Sequence, residues 1–358
     1  MSEVQQLPLV IGVDLGGTQI RVGVLQGATL LSRVKLSTGE APTPDRMIPC
    51  IDSAIRQALE EAGTSLDYIV GIGLGVAGPL DSRTGVVFAP PNLPGWHHVR
   101  LRDIFEEHYS VPIFVENDAN AAALGEYLFG AGRGCKDLVY LTISTGIGGG
   151  VIVNGQIMHG TSGTAGELGH MTIDWHGERC NCGNIGCLES IASGTAIARR
   201  ANEAISRGVD VLRPVRGNQE RETATRVGAV PRPLHRASVR LVDAEALARA
   251  AMEGAPEARK IIEDAAIALG IGFVNIIHIF NPEKIVLGGG LTRMESLLLE
   301  PARQIVQERA MRVPYEATRI VLAELDIHAG LVGAGALVYY HRGESGSPLL
   351  EEVCAGVA

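Results

Sequence analysis

The first apolar run of the chain, Leu9-Val-Ile-Gly-Val-Asp14, is short and β-branched; it breaks at Leu15-Gly16-Gly17 and resumes as Thr18-Gln-Ile-Arg-Val-Gly-Val-Leu25. A third run occupies 30–36. Runs of this length, separated by glycine turns, predict an antiparallel meander and not a strand that feeds a helix. Over 45–62 the period changes: Ile48, Ile51, Ile55 and Leu59 recur three or four residues apart, which marks one face of a helix. A strand at 68–76, a helix near 101–108, a strand at 112–116 and an alanine-rich helix at 118–129 follow.

The pattern then restarts. Residues 137–144 read as a strand, Thr145-Gly-Ile-Gly-Gly-Gly150 as a glycine turn and 151–154 as a second strand. Two such β–turn–β units, separated by about 130 residues, suggest an internal structural duplication. Helices are expected at 191–206 and from 244 through 278, then a strand at 284–287 that ends in Gly288-Gly289-Gly290, then a helix near 295–310. Residues 207–240 depart from this pattern, with many arginines, Pro214, Pro231 and Pro233, and no apolar period. A solvated surface loop is the ordinary reading of such a run; an oligomer contact or a patch for an anionic ligand is the alternative. A loose tail is expected from about Gly343.

A length of 358 residues suggests roughly two domains. With 46% apolar and 20% charged residues, the composition excludes whole-chain disorder. No uninterrupted apolar run approaches the roughly 20 residues that cross a bilayer, and Met1–Gln6 lacks the features of a secretory signal. The net charge of −9 argues against a nucleic-acid-binding surface. A cytoplasmic protein, with neither nucleic acid nor membrane as a partner, is the expectation. Cys50, Cys135 and Cys354 stand singly, whereas Cys180, Cys182 and Cys187 cluster. In a reducing compartment, clustered thiols read as metal ligands and not as a disulfide framework.

The two glycine turns are the first candidate chemistry. Gly16, Gly17 and Thr18 in one, and Thr145, Gly146 and Gly148 in the other, can offer backbone N–H groups and hydroxyls to phosphates that a side chain would otherwise keep away. Either turn alone reads equally as an ordinary hairpin. Neither is followed by Gly-Lys-Ser/Thr or opens a helix, so neither is a Walker loop or a dinucleotide fingerprint. As a facing pair they could hold the β- and γ-phosphates of ATP, with Asp14 a partner for Mg²⁺ through water. In Val115-Glu-Asn-Asp-Ala-Asn120, Asp118 reads either as a helix N-cap or as the carboxylate that takes a proton from an attacking hydroxyl. Asn117 reads as a turn residue. Finally, Cys180, Cys182 and Cys187 with one imidazole suit a closed, structural Zn²⁺ site; His170 is the economical fourth ligand and His176 its competitor. Such a clamp would fix Glu167, His170 and Glu189, whose side chains could bond adjacent sugar hydroxyls.

Together, Asp14-x-Gly-Gly-Thr18, Glu116-Asn-Asp118-Ala-Asn120, the Thr145 turn, Glu167-x-x-His170 and Cys180-x-Cys182-Gly-x-x-Gly-Cys187-x-Glu189 resemble the ROK family (repressors, open reading frames, sugar kinases), in order from about Leu9 to Gly335. Within it the chain is most similar to bacterial ATP-dependent glucokinases. The resemblance implies an α/β, actin-like/hexokinase-like (ribonuclease H-like) ATPase fold with two domains around a cleft. It implies a small domain at 1–118 completed by a C-terminal helix at about 329–342, a large domain at 119–328, and a tail at 343–358. It also implies that Asp118 is the base for the sugar 6-hydroxyl, while Asn117, Glu167, His170 and Glu189 grip the ring and Gly78 and Asn92 line the small-domain side. Gly288 and Gly289 are implied near the nucleoside, and His170, Cys180, Cys182 and Cys187 on zinc. Glucose is the implied substrate; fructose, mannose, allose or an N-acetylhexosamine are alternatives, because one contact is worth only about 1–3 kcal/mol. A homodimer or higher homo-oligomer is implied. A sugar-sensing repressor is the remaining reading, and the handful of residues ahead of Leu9 leaves no expected room for its winged helix. The arginine-rich stretch departs from the family pattern.

Overall fold

The computed structural model of the chain describes residues 7–39, 42–90, 93–214 and 241–344. Asn92, the bulk of the arginine-rich stretch (215–240) and the chain after Glu344 lie outside the described residues.

The first half comprises β1 (Leu9–Leu15), β2 (Gln19–Gln26), β3 (Thr29–Leu30), β4 (Val34–Ser37), α1 (Pro44–Glu61), β5 (Ile69–Val76), β6 (Leu80–Asp81), β7 (Val86–Val87), β8 (Val99–Arg100), α2 (Leu101–His108) and β9 (Ile113–Asn117). Its main sheet has the order β3-β2-β1-β5-β9, with β4 also on β2. The β1–β2 pair is antiparallel, and β5 and β9 add in parallel. The meander is as expected, except that the run at 30–36 is two short strands. Ser32 interrupts it by turning its hydroxyl inward to accept from the Val24 N–H at 3.2 Å. The three-stranded β6–β8 sheet was not anticipated, since strands of two residues carry no period.

The second half comprises α3 (Asp118–Phe129), β10 (Leu138–Ile143), β11 (Ile147–Val153), β12 (Gln156–Ile157), α4 (Leu188–Ala192), α5 (Gly194–Ser206), α6 (Ala244–Met252), α7 (Pro256–Phe280), β13 (Lys284–Gly288), α8 (Glu300–Arg309), α9 (Arg312–Ala317), β14 (Arg319–Leu322) and α10 (Ala329–Glu344). The sheet order is β12-β11-β10-β13-β14, with β10–β11 antiparallel and β13 and β14 parallel. A hairpin followed by two parallel strands therefore occurs twice, and the duplication read from the glycine turns is real at the level of topology.

Three expected helices are divided. The helix at 191–206 is broken by Ser193, whose hydroxyl caps α5 by accepting from Ala196 N at 3.1 Å. The run at 244–278 breaks after Met252 and restarts at Pro256, a residue suited to a first turn because its missing N–H has no partner there anyway. The helix near 295–310 begins as a π turn at Glu295–Leu299, since Pro301 cannot donate the regular bond to the turn before it. By length and mean hydropathy (1.6) α7 could span a bilayer, although no apolar run foretold it; 67% of that window is buried in the protein, as befits a core helix. The C-terminal helix runs through Gly343, where the tail was expected to begin.

Two helices change sides. α3 follows the first sheet but packs on β10 and β11, while α10 follows the second sheet and packs on β1 and β5. They cross each other at small residues: a Cβ on Gly125 would stand 2.9 Å from the Gly333 Cα. Each sheet has its own apolar cluster, and α3 and α10 build a third between them. The start of α3 is thereby wedged between the two sheets.

Candidate active site

At the junction of β9 and α3 the helix cap is Asn117, whose Oδ1 accepts from Ala119 N (2.9 Å) and Asn120 N (3.3 Å). The N-cap reading of Asp118 is thereby corrected: Asp118 is the first helical residue, and its carboxylate accepts from Ala119 N at 2.9 Å. Asp118 faces a cavity of about 450 Å³ that Gly78, Asn117, Asn120, Thr145, Gly146, Gly148, Glu167, His170 and Glu189 also line. Removal from water, and next the negative charge of Asp14, push the Asp118 carboxyl up to about 6; Glu167 adds a smaller push, against the stabilising Ala119 N–H. Asn117 Nδ2 donates to Gly78 O at 3.3 Å. Gly78 has φ +106°, and a Cβ there would lie 2.6 Å from Pro90 Cβ, so the wall demands glycine.

The second glycine turn is braced from behind. Glu189 Oε2 accepts from Ile147 N at 2.9 Å, and a Cβ on Gly146 would come 2.6 Å from the same oxygen. Ser144 O accepts from Gly194 N (2.8 Å), and Thr145 O from the Thr195 hydroxyl (2.8 Å), which ties the turn to the start of α5. In the first turn, Thr38 Oγ1 donates to Gly17 O at 2.8 Å, and Thr18 is exposed. Asp14 is held by Arg21 (2.7 Å), yet burial outweighs that cation and raises its carboxyl above the usual range. Asp14, Gly16, Gly17 and Thr18 do not line the 450 Å³ cavity, although the charge of Asp14 reaches Asp118.

Beside Glu167, ligand atoms of His170, Cys180, Cys182 and Cys187 lie within 4.8 Å of one another. His170 Nδ1 is 3.6 Å from Cys180 Sγ, and Cys182 Sγ is 3.7 Å from Cys187 Sγ. Ligands on a tetrahedron with bonds of about 2.0–2.3 Å stand about 3.3–3.8 Å apart, so the donor set fits Zn²⁺. His170 turns Nε2 the other way, 3.9 Å from Glu167 Oε2. His176 is not in the cluster.

A larger cavity, about 1260 Å³, adjoins the first at Ser144 and Thr145 and is walled by Gly194, Thr195, Arg199, Asn202, Gly290 and Arg293, among others. Gly288 and Gly289 immediately precede Gly290 in the chain but are not among the residues that line this cavity. Gly289 has φ +90° and is packed against the Ile143 backbone, where a Cβ has no room.

A sequence profile of the ROK family matches residues 10–340. The chain belongs to the ROK family. It is 34% identical to a glucokinase of Halalkalibacterium halodurans over 92% of this chain and 94% of that one. It is 32% identical to a putative xylose repressor of Caldicellulosiruptor sp., over 92% of this chain and 78% of that one. Among solved ROK structures, the hexokinase of Thermus thermophilus is 37% identical, with a TM-score of 0.75 over 94% of this chain and 99% of that one. The Streptomyces griseus ROK glucokinase in complex with glucose and AMPPNP is 33% identical, with a TM-score of 0.70 over 92% of this chain and 98% of that one. The fold is therefore the actin-like/hexokinase-like α/β ATPase fold of that family, its two sheets flanking a cleft.

Within this ROK fold, the small cavity brings together seven of the anticipated side chains and turns: Gly78, Asn117, Asp118, the Thr145 turn, Glu167, His170 and Glu189. The first turn, Gly288 and Gly289 are outside its lining, and Asn92 is outside the described residues. Residues of the two cavity walls that had been given no role are Asn120, Gly194, Thr195, Asn202 and Gly290; Asn120 and Gly290 stand within the recognised motifs. Ser193-Gly194 in mid-helix was the available signal, because serine before glycine favours a helix start over a helix interior.

Proposed function

We propose that this ROK protein transfers the γ-phosphoryl group of ATP to the 6-hydroxyl of a hexose, with glucose as the preferred sugar and Asp118 as general base. The observation that carries this reading is the Asp118 carboxyl, pushed up to about 6 at a cavity wall crowded with hydrogen-bonding groups. Such a group is ionised at neutral pH, yet basic enough to accept a hydroxyl proton as the P–O bond forms. Asn117, Glu167, His170 and Glu189 grip the ring, and Gly78 and Asn92 close the small-domain side. Thr145, Gly146 and Gly148 face the phosphates, and the 1260 Å³ cavity takes the nucleoside, with Gly288 and Gly289 supporting its wall. Domain closure carries Asp14, Gly16, Gly17 and Thr18 onto the phosphates and excludes water, so that the sugar and not water receives the phosphoryl group. Asp14 would hold Mg²⁺ through water; when bound, the ion neutralises charge on the phosphates.

His170, Cys180, Cys182 and Cys187 would hold a structural Zn²⁺, which keeps Glu167, His170 and Glu189 facing the cavity. The division into 1–118 with 329–342 and 119–328 is supported by α10 packing on β1 and β5 while α3 packs on β10 and β11. ADP release measured by a coupled assay over a hexose panel tests the reading, with glucose expected to have the highest kcat/KM. A hexose more than tenfold better overturns the glucose assignment. Absence of ADP release with every hexose overturns the kinase reading and favours a sugar sensor, the role that the repressor relative makes the second reading.

A further inference from the structure

Behind Asp118 lies a charged group that this mechanism leaves unused. Alternation along β9 turns Phe114 and Glu116 to one face. Phe114 stacks on His341 of α10 with ring centroids 4.7 Å apart, while Glu116, only 2% exposed, sits under the start of α3. One carboxylate oxygen, Oε1, accepts from Asn117 N (2.8 Å) and Asn120 Nδ2 (3.1 Å), the residues on either side of Asp118 and Ala119. The other, Oε2, meets His159 Nε2 at 2.6 Å. A carboxylate this deeply buried is costly without partners, and a charge-assisted bond of this length is among the strong ones.

His159 opens the loop that walls the sugar cavity. Its carbonyl accepts from Ala165 N at 3.0 Å, so the loop closes on itself. At its tip, Gly163 is packed so that a Cβ would lie 3.1 Å from Leu80 O of the small β6–β8 sheet; at its end, Gly166 faces the Gly149 backbone. Gly163, Thr164, Ala165 and Glu167 all line the cavity. Asn120 Oδ1, buried and without a hydrogen-bond partner, is near the same loop, 3.8 Å from where a Cβ on Gly166 would stand. One buried carboxylate thus binds the turn that presents Asn117 and Asp118 and, through a single imidazole, the loop that presents Thr164 and Glu167.

We propose that Glu116 and His159 form a positioning pair that sets the distance between the Asn117–Asp118 turn and the 159–167 loop, and so tunes hexose binding and the alignment of the sugar hydroxyl for transfer. Neither residue touches the reacting atoms. The proposal rests on Asp118 being the base, and the experiment separates the two. His159→Ala, His159→Gln, Glu116→Gln and Asp118→Asn are compared by steady-state kinetics and by calorimetric binding of glucose. His159→Ala is expected to raise the hexose KM at least tenfold and lower kcat about tenfold, with the ATP KM within twofold. His159→Gln, which keeps a donor near the same place, recovers most of the loss. A His159→Ala protein with a lowered Tm but an unchanged hexose KM and kcat, or with both KM values raised equally, overturns the proposal. If His159→Ala does not fold, Glu116→Gln is combined with His159→Asn, whose shorter side chain does not reach the carboxylate; effects that overlap support the pair and effects that simply add overturn it. If Asp118→Asn retains turnover, the assignment of the base fails, and glucose binding to the His159 variants still decides the positioning pair.

Discussion

The two halves of the molecule have the same strand plan and opposite contents at the same place. One step before the end of the first strand, β1 pairs Asp14 with Arg21 across the hairpin, whereas β10 pairs Thr142 with Gly148. Each position lies under the start of a helix that follows the other sheet in the chain. A Cβ on Gly330, at the start of α10, would stand 2.7 Å from Asp14 Oδ2; a Cβ on Gly148 would stand 3.3 Å from Ala119 Cβ, at the start of α3. One half therefore keeps a carboxylate on its own hairpin, and the other leaves a gap beside its hairpin into which α3 brings one. Both carboxyls are pushed up chiefly by burial. The lesson is that a duplicated scaffold need not duplicate its chemistry: one carboxylate comes from its own hairpin and the other from the start of α3, and each is held against its own solvation.

The comparison breaks most completely at Asp118. Asp118→Asn is expected to lower kcat by about 10²–10⁴ while the hexose KM changes only a few-fold, measured by ADP release. The wild-type rate should fall as pH drops through about 6, since turnover needs the carboxylate. Stability should move the other way. The unfolded chain loses this proton near 3.9 and the folded chain near 6, so the folded state binds the proton more tightly. The penalty is full above pH 6 and eases between 6 and 4. Asp118→Asn should therefore raise Tm by a few degrees at pH 8, about 1–2 kcal/mol once screening in an open cleft is allowed for. A variant that loses both turnover and Tm would place Asp118 among ordinary structural residues.

The next largest effect concerns a wall that, among the described residues, belongs to the second half alone. Between Met171 and Cys187 the backbone carries just two isolated bridges, Thr172 with Cys187 and Arg179 with Ile185. A segment with so little ladder gains from another restraint on its shape, and a tetrahedral ion on His170, Cys180, Cys182 and Cys187 would supply one. Metal analysis should give about one Zn²⁺ per chain, and chelation should lower Tm and raise the hexose KM several-fold more than the ATP KM. Equal loss of both affinities would mean that the segment does not shape the sugar side in particular.

These contrasts also show what could be read from residue order. Most of the longer strands, the repeated glycine turns and the Cys180–Cys187 cluster were legible because each depends on local spacing, whereas β12, β14 and the short β6–β8 strands were not. The N-cap was placed one residue too late, on Asp118, with Asn117 read as a turn residue; both residue types are good caps, and Asn117 is also tied to Gly78, which lies on another strand connection. The pairing of Asp14 with Arg21 follows from hairpin register and could have been counted out from Leu15 and Ile20. The exchange of α3 and α10 was implied by the family resemblance alone and could not be counted out from residue order. It depends on Ala121, Gly125 and Gly333 fitting together across more than 200 residues of chain, and small residues in a helix announce a close approach without naming the partner.

The smallest effect is the sharpest test of the two-route comparison, because it uses matched probes. Gly148→Ala places a methyl group 3.1 Å from Thr142 Cγ2 and 3.3 Å from Ala119 Cβ, a clearance that asks α3 to shift by a few tenths of an ångström. That shift carries Asp118 with it, and small displacements of a reacting group lower the rate while leaving ground-state binding largely intact. A several-fold lower kcat with the hexose KM nearly unchanged is expected. Gly330→Ala instead presses on the Asp14 carboxylate, which Arg21 holds from the other side, and displaces the group assigned to the phosphate side. Its expected signature is a several-fold higher ATP KM with the hexose KM unchanged. If the two variants behaved alike, the halves would not divide the work as their hairpins suggest, and the gap beside β10 would be packing alone.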